Sequence, residues 1–493
     1  MSKRFLIPVI LFILFFAGMA VIQFASPDLP DNDGFYHIKL AWLMRTESLK
    51  PDFPWLPLSI LNENEFYDHH FLFHVALIPF TFGDLLLGAK WAAVTFSAIA
   101  FLSIWYLFHR QKIPAAWLWA LGLLGISDAF LYRMSITRVQ SLSLAVLVLG
   151  LAWILEGKYK YLAVLSFLYV WMYDAFPLIL AIAGLHFIAV LLMERRLEYR
   201  PLLWAGIGVG VGLIINPYFP NNLIFTYHHL LPKLLDATSV NVGNEWYPYD
   251  TGQLLRNSLP ALIAFVSGAL ALGLTGRKMD LRTTTSFLIA LLFGLMLFKA
   301  RRFVEYFPPF ALIFAAFAWS PLFYVEREPA PTSKFLTGLQ ANLPVILLAA
   351  AVSFGIIKTI PVTQHSLTQS KPYDLYKGAS AWLVQNTPAG ARVFQTDWDD
   401  FPRLFFYNTH NTYLAGLDPT YLQLYDRDLY DEWVQITRGK VEQPSQIILK
   451  DFSARYVQTD LDHGNFLRQA AKDPGMIEVY RDGQAVIFEI LEP

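Results

Sequence analysis

Runs of apolar residues long enough to cross the ~30 Å hydrocarbon core of a bilayer recur from the N-terminus to about residue 361. Nothing else in the chain constrains its fold as strongly: such a sequence reads as a polytopic, α-helical membrane protein. The first run, Phe5 to Ala25, follows Lys3 and Arg4. It is longer than the roughly 7–15-residue core of a secretory signal and lacks an A-x-A-type cleavage site, so it reads as a retained anchor. Further spans are expected near 84–108, 113–131, 140–156, 160–173, 176–193, 201–217, 259–275, 284–299, 307–325 and 343–361, about eleven crossings in all. Phe71 to Phe82 reads as a further span or a re-entrant piece. Over 493 residues, 55% are hydrophobic and only 16% charged, against about 25% in soluble domains, which excludes a large cytosolic enzyme. A net charge of −1 gives no footing for nucleic-acid binding. With no cysteine, disulfides, thiolate nucleophiles and Cys-ligated metals are excluded.

Orientation follows from Lys and Arg. Short basic connectors alternate along the chain: Arg110 and Lys112; Lys158 and Lys160; Arg195, Arg196 and Arg200; Arg277, Lys278 and Arg282; Arg327 and Lys334. With Lys3 and Arg4 they define a cytoplasmic side, and an odd number of crossings puts the C-terminal region outside. The expected organisation is a membrane domain over 1–361, with a long outer loop at 26–83, and a soluble extracytoplasmic α/β domain over 362–493. That last stretch carries 12 Lys/Arg against 18 Asp/Glu, a net of −6, and no spanning run. Helical periodicity over Tyr376–Gln385 and strand-like alternation at Ala391–Gln395, Arg455–Thr459, Met476–Tyr480 and Ala485–Ile490 support it.

The first outer loop holds most of the unusual chemistry. Asp31 and Asp33 form an Asp-x-Asp pair, followed by Phe35, Ile38, Trp42 and Leu43 at the spacing of a helix lying at the membrane interface. Such a pair supplies a general base or hard oxygen ligands for a cation; the bland alternative is helix capping by Asp31 and Asn32. Farther on, Asp68, His69, His70 and His74 put one carboxylate and three imidazoles within seven residues. Imidazole with carboxylate suits Mn²⁺ or Zn²⁺, and carboxylate alone suits Mg²⁺; an aromatic–His interface belt needs no ion.

Asp33-x-x-Tyr36-His37-x-Lys39 resembles the Asp-x-x-Tyr-His-x-Arg signature in the first outer loop of oligosaccharyltransferase catalytic subunits, and Asp68-His69-His70 resembles a second acidic motif of archaeal members. Both belong to the GT-C glycosyltransferases, polytopic enzymes that use polyprenyl-linked sugar donors at the outer face. The resemblance implies Asp33, with Asp31, as the catalytic carboxylates. The chemistry is expected to run with or without a divalent cation (Mn or Mg), whose candidate ligands are Asp33, Asp68 and His69 or His70, and Tyr36 and His37 are candidates beside the substrate. The chain departs from those enzymes in the early position of its second motif. It also has no Trp-Trp-Asp in its soluble part; Glu245-Trp-Tyr-Pro-Tyr-Asp250 has similar letters but lies in the 218–258 loop.

Basic residues on the outer side run against the topology bias and ask for a reason. Arg133 and Arg138 fall in a short outer turn, and Lys299, Arg301 and Arg302 between the ninth and tenth spans. Guanidinium grips phosphate oxygens in pairs, so Arg301, Arg302 and Arg138 are candidates for the donor phosphate. Snorkelling, or pairing with Asp128 or Glu305, is the alternative. Asp174, before Pro177, reads either as a supporting carboxylate or as turn chemistry. Glu245 and its aromatic neighbours suit a sugar or the interface. Asp397 and Asp399 read as a loop site or as caps of a helix starting near Phe401.

The expected activity is transfer of a sugar from a polyprenyl-(pyro)phosphate donor to a glycan, lipid or protein acceptor, with inversion, in a plasma or inner membrane. En bloc oligosaccharide transfer to protein and a non-catalytic assembly role are the alternatives. A transporter would put its charges near the bilayer midplane rather than at the outer boundary. A zinc protease of the His-Glu-x-x-His type is excluded, because that pattern occurs nowhere.

Overall fold

The structure, a computed structural model, describes residues 3–234, 243–276, 279–324 and 334–491, leaving aside the side chains of 3–5, 229–234, 244, 275, 324 and 334–341. The expected cytoplasmic residues Arg277, Lys278 and Arg327 and the stretch 235–242 lie outside the described residues. The chain forms two compact units that interleave along the sequence. The first comprises 1–27, 90–215 and 243–370; the second comprises 28–89, 216–242 and 371–493. The helix that ends the first unit runs Lys334–Thr368, past the expected boundary at 361.

The first unit is helical. Among the described residues six helices of the chain are long and apolar enough to cross a membrane: Leu6–Gln23, Leu85–Arg110, Pro177–Glu194, Thr251–Leu274, Leu281–Lys299 and Asn342–Thr368. A seventh span is obtained if Asp128–Ser135 and Gln140–Leu155, bent by 110°, count as one. The other expected crossings correspond to shorter apolar helices, Ala116–Gly125, Tyr159–Met172, Arg200–Ile214 and Phe307–Phe323. The chain is thus an integral membrane protein, while the eleven expected crossings resolve into six or seven full-length spans and several short helices. Phe71–Thr81 is likewise too short to span. Close packing explains one glycine: a Cβ at Gly208 would lie 2.1 Å from the Ala163 carbonyl oxygen, so only glycine lets the Arg200–Ile214 and Tyr159–Met172 helices meet there.

The second unit is built on a five-stranded sheet: β1 (Arg392–Gln395), β2 (Thr412–Tyr413), β3 (Tyr456–Asp460), β4 (Met476–Arg481) and β5 (Ala485–Ile490). Their order is β2-β1-β3-β5-β4, with β1 parallel to β2 and β3, and β5 antiparallel to β3 and β4. Side chains alternate across a strand, and the two faces feed two cores. Phe394, Val457, Val486 and Phe488 face one that is completed by C-terminal helices. Val393, Tyr456, Ala485 and Ile487 face the other, where they join Tyr36, Leu40, Phe53, Trp55, Phe66, Tyr218 and Phe225. The first loop is therefore part of the core of this unit. Its helix, Asp33–Thr46, buries Phe35, Tyr36, His37, Ile38, Leu40, Ala41, Leu43 and Met44. Burial on every side replaces the interfacial helix expected from spacing; protein, rather than lipid, covers the apolar residues.

Candidate functional site

Asp33 is the first residue of this buried helix. Asp31 does the capping: its Oδ1 accepts the Asp33 N–H at 2.9 Å. Asn32, in the N-cap position, makes no capping bond. It donates instead to Asp399 Oδ2 at 2.7 Å and accepts from Arg403 Nε at 2.7 Å. Arg403 is buried, stacks on Phe35 with its guanidinium 4.3 Å from the ring centre, and also donates to the Lys371 carbonyl. The helix start that presents Asp33 is thus clamped by a buried, hydrogen-bonded cation.

One turn after Asp33, on the same face of the helix, comes His37. Its Nδ1 lies 2.7 Å from His74 Nε2, and His74 Nδ1 lies 2.7 Å from Asp68 Oδ2. All three side chains are buried: Asp68 is 3% exposed, His74 0% and His37 4%. With Asp68 Oδ2 accepting from His74 Nδ1–H, His74 presents Nε2 as acceptor to His37 Nδ1–H. The basic atom of His37 is then Nε2. Burial, reinforced by neighbouring His74 and His69, holds the His37 imidazole well below its usual pKa and keeps it neutral at pH 7. Burial, then the Asp68 charge, raises the Tyr36 phenol.

Asp68, grouped by sequence with metal ligands, has both oxygens in hydrogen bonds, because Oδ1 accepts the His70 N–H at 3.0 Å. It orients His74. His69 stacks on Phe225 at 5.0 Å, while His70 sits 4.2 Å from His69 and 5.0 Å from His37, ring centre to ring centre. Among the described residues, the group whose carboxylate and imidazole atoms converge within 4.8 Å is Asp397, Asp460 and His463. Asp397 there also caps a short helical turn by accepting the Asp399 N–H.

The first unit carries the second polar cluster. Arg133 Nη2, Arg138 Nη1 and Arg302 Nη1 lie 3.0, 3.3 and 3.7 Å from the Glu245 carboxylate. Arg133 Nε also donates to Glu305 at 2.6 Å, and Arg302 donates to the Tyr173 hydroxyl at 3.0 Å. Burial alone would favour the neutral acid at Glu245, but Arg302, Arg133 and Arg138 outweigh it and hold the carboxyl far below the usual range. Arg302 lies over Trp246 and Arg301 over Tyr249. Arg301 also receives two main-chain ties, N–H to the Tyr247 carbonyl and Nε to the Pro248 carbonyl. A cavity of about 600 Å³ opens beside the cluster, with Arg133, Glu245, Tyr249, Arg301, Arg302 and Ser370 in its wall. Asp174 is half-buried in the turn between the helices ending at Met172 and starting at Pro177.

Two partners escaped the sequence. His74 was counted only among the imidazoles of its segment but pairs with His37. Arg133 holds both acids of its cluster and was passed over for Arg138. Their pairings span 37 to 172 residues, so local spacing carried no signal of them.

No family model and no curated protein matches the chain. Solved structures do. The oligosaccharyltransferase AglB from Archaeoglobus fulgidus, in complex with an inhibitory peptide and a dolichol-phosphate, is 15% identical, with 96% of this chain aligned to 71% of that one at a TM-score of 0.65. ArnT from Cupriavidus metallidurans, bound to undecaprenyl phosphate, is 14% identical and aligns over 97% of both chains at 0.58. The arabinofuranosyltransferase AftD from Mycobacteria is 13% identical, with all of this chain aligned to 40% of that one at 0.58. At these identities the likeness is one of fold alone: the chain has the fold that these solved structures share.

Proposed function

We propose that this chain is a membrane glycosyltransferase that moves a sugar from a polyprenyl-phosphate donor to an acceptor at the outer membrane face. The observation that carries the reading is the convergence of Arg133, Arg138 and Arg302 on one carboxylate beside a cavity of about 600 Å³, in a fold shared with ArnT and AglB. Three guanidiniums aimed at one anionic point form a phosphate cradle.

In the reaction, the acceptor oxygen forms a bond to the anomeric carbon as the bond from that carbon to the donor phosphate breaks. The phosphate leaves with the electron pair, and the arginines stabilise its added charge. The acceptor proton passes to Asp33. His37, held neutral with its basic nitrogen fixed through His74 and Asp68, positions the acceptor beside Asp33. Displacement on one face inverts the anomeric centre. A divalent cation in the second unit would take Asp33 with His69 or His70 as ligands and would act there as a Lewis acid; Asp68, engaged by His74 and the His70 amide, orients rather than ligates. The domain after residue 370 positions the acceptor. En bloc transfer to protein is the second reading, favoured by the higher TM-score of the match to AglB.

The test uses the purified full chain in nanodiscs with synthetic polyprenyl-phosphate sugars and a panel of sugar, lipid and peptide acceptors. Transfer with inversion that disappears in Asp33→Asn, at unchanged thermal stability, supports the reading. A fully active Asp33→Asn variant overturns it.

A further inference from the structure

Glu245 and Glu305 share Arg133 but differ in setting. The Glu305 side chain is 1% exposed, and its Oε2 is buried without a hydrogen-bond partner in the structure. The Glu245 side chain is 28% exposed and borders the cavity. Glu305 is thus locked to Arg133, whereas Glu245 has open space into which to turn. Its backbone is held near the arginines by the Tyr247 and Pro248 carbonyls, which bind Arg301, and by Trp246, which stacks on Arg302. A side-chain rotation would therefore move the carboxylate out of the cluster and leave the loop in place. With Glu245 turned away, only Glu305, at Arg133, would offset the three guanidiniums, and their mutual repulsion would be costly. An internal carboxylate removes that cost when the cavity is empty.

We infer that Glu245 is an exchangeable stand-in for the donor phosphate: it occupies Arg133, Arg138 and Arg302 in the resting protein, yields them to an incoming phosphate, and reclaims them as the product phosphate leaves. The inference rests on the reading of the arginine cluster as a phosphate site and adds a residue that weakens binding in order to speed release. Tethered to the cluster, Glu245 competes with the phosphate at a high local concentration.

Two measurements on the full chain in nanodiscs test it, with undecaprenyl phosphate and inorganic phosphate as probes. In the first, Glu245→Gln binds undecaprenyl phosphate about tenfold more tightly than the unaltered chain, a change of about 1.4 kcal/mol. It melts lower without the probe and recovers with it, while Glu245→Asp stays close to the original. In the second, on the unaltered chain, undecaprenyl phosphate increases carbodiimide labelling of Glu245 and leaves Glu305 unlabelled. A response to inorganic phosphate as well assigns the exchange to phosphate itself; a response to the lipid alone assigns it to the membrane-anchored donor. Labelling that is unchanged or reduced, or a Glu245→Gln variant that binds no more tightly, overturns the inference. If the unaltered chain and Arg302→Ala are alike indifferent to undecaprenyl phosphate, the phosphate-site reading falls with it.

Discussion

The two polar clusters solve the burial of charge in opposite ways. In the second unit, Asp68, His74 and His37 form a line of hydrogen bonds set inside an aromatic core. In the first, three arginines and two glutamates form a hub in which every ion touches an opposite charge and one cation is in excess. A line fixes direction: it dictates which nitrogen of His37 is basic. A hub fixes charge density at a point, as a phosphate requires, and is indifferent to tautomers. On the proposed reading, proton handling and anion handling fall to different compact units.

Substitutions that abolish one task and spare the other test this division. The largest expected effect is Asp33→Asn, which lowers transfer on the order of 10²–10⁴-fold while binding of undecaprenyl phosphate is retained; loss of both would show that the tasks are not separable. Next, Arg302→Ala weakens donor binding by about 2–5 kcal/mol, read as a raised KM for donor at unchanged KM for acceptor. Arg302→Lys recovers only part of it, because an ammonium cannot form the guanidinium fork. Asp68→Ala, which leaves His74 Nδ1 without its buried acceptor, destabilises the chain by about 1–3 kcal/mol in thermal or denaturant melts, with donor affinity unchanged.

The smallest effect concerns pH. Burial, with His74 and His69, depresses the His37 pKa, so as pH falls below about 6.5 the unfolded chain takes up a proton that the folded chain refuses. Stability on this account is complete above that pH and declines on acidification, by at most about 1.4 kcal/mol per pH unit. His37→Phe removes that part of the decline. His463 works in the opposite sense: its hydrogen bond to Asp460 raises its pKa, so its contribution is present in acid and is lost as pH rises through the folded value. Melts of His37→Phe and His463→Gln across pH 5–8 distinguish the two signs.

The sequence revealed most where neighbours in the chain are neighbours in space. The helix at Asp33, four of the five strands and the apolar helices were legible because capping, alternation and periodicity are local. The number of crossings was less legible, because an apolar helix of 14 residues, such as Tyr159–Met172, has the pattern of a span without its full length. Phe35, Ile38, Trp42 and Leu43 were assigned to the membrane interface because an apolar side chain carries no mark of what will cover it. The hub was only half legible. Arginines on the outer side looked out of place, yet Glu245, 107 residues beyond Arg138, was read for its aromatic neighbours and not for its charge.

The interleaving of the two units has a consequence for how the protein is made. Asn32 and Arg403, 371 residues apart, must meet before the Asp33 helix is clamped. The aromatic residues of 28–89 find their core partners only after the sheet strands have been synthesised. Until then the growing chain carries an uncovered greasy surface, the kind of client that holding chaperones bind. A ribosome that stops short of the sheet strands leaves the membrane helices with an unfinished, protease-sensitive second unit, so that unit folds only once those strands have been made.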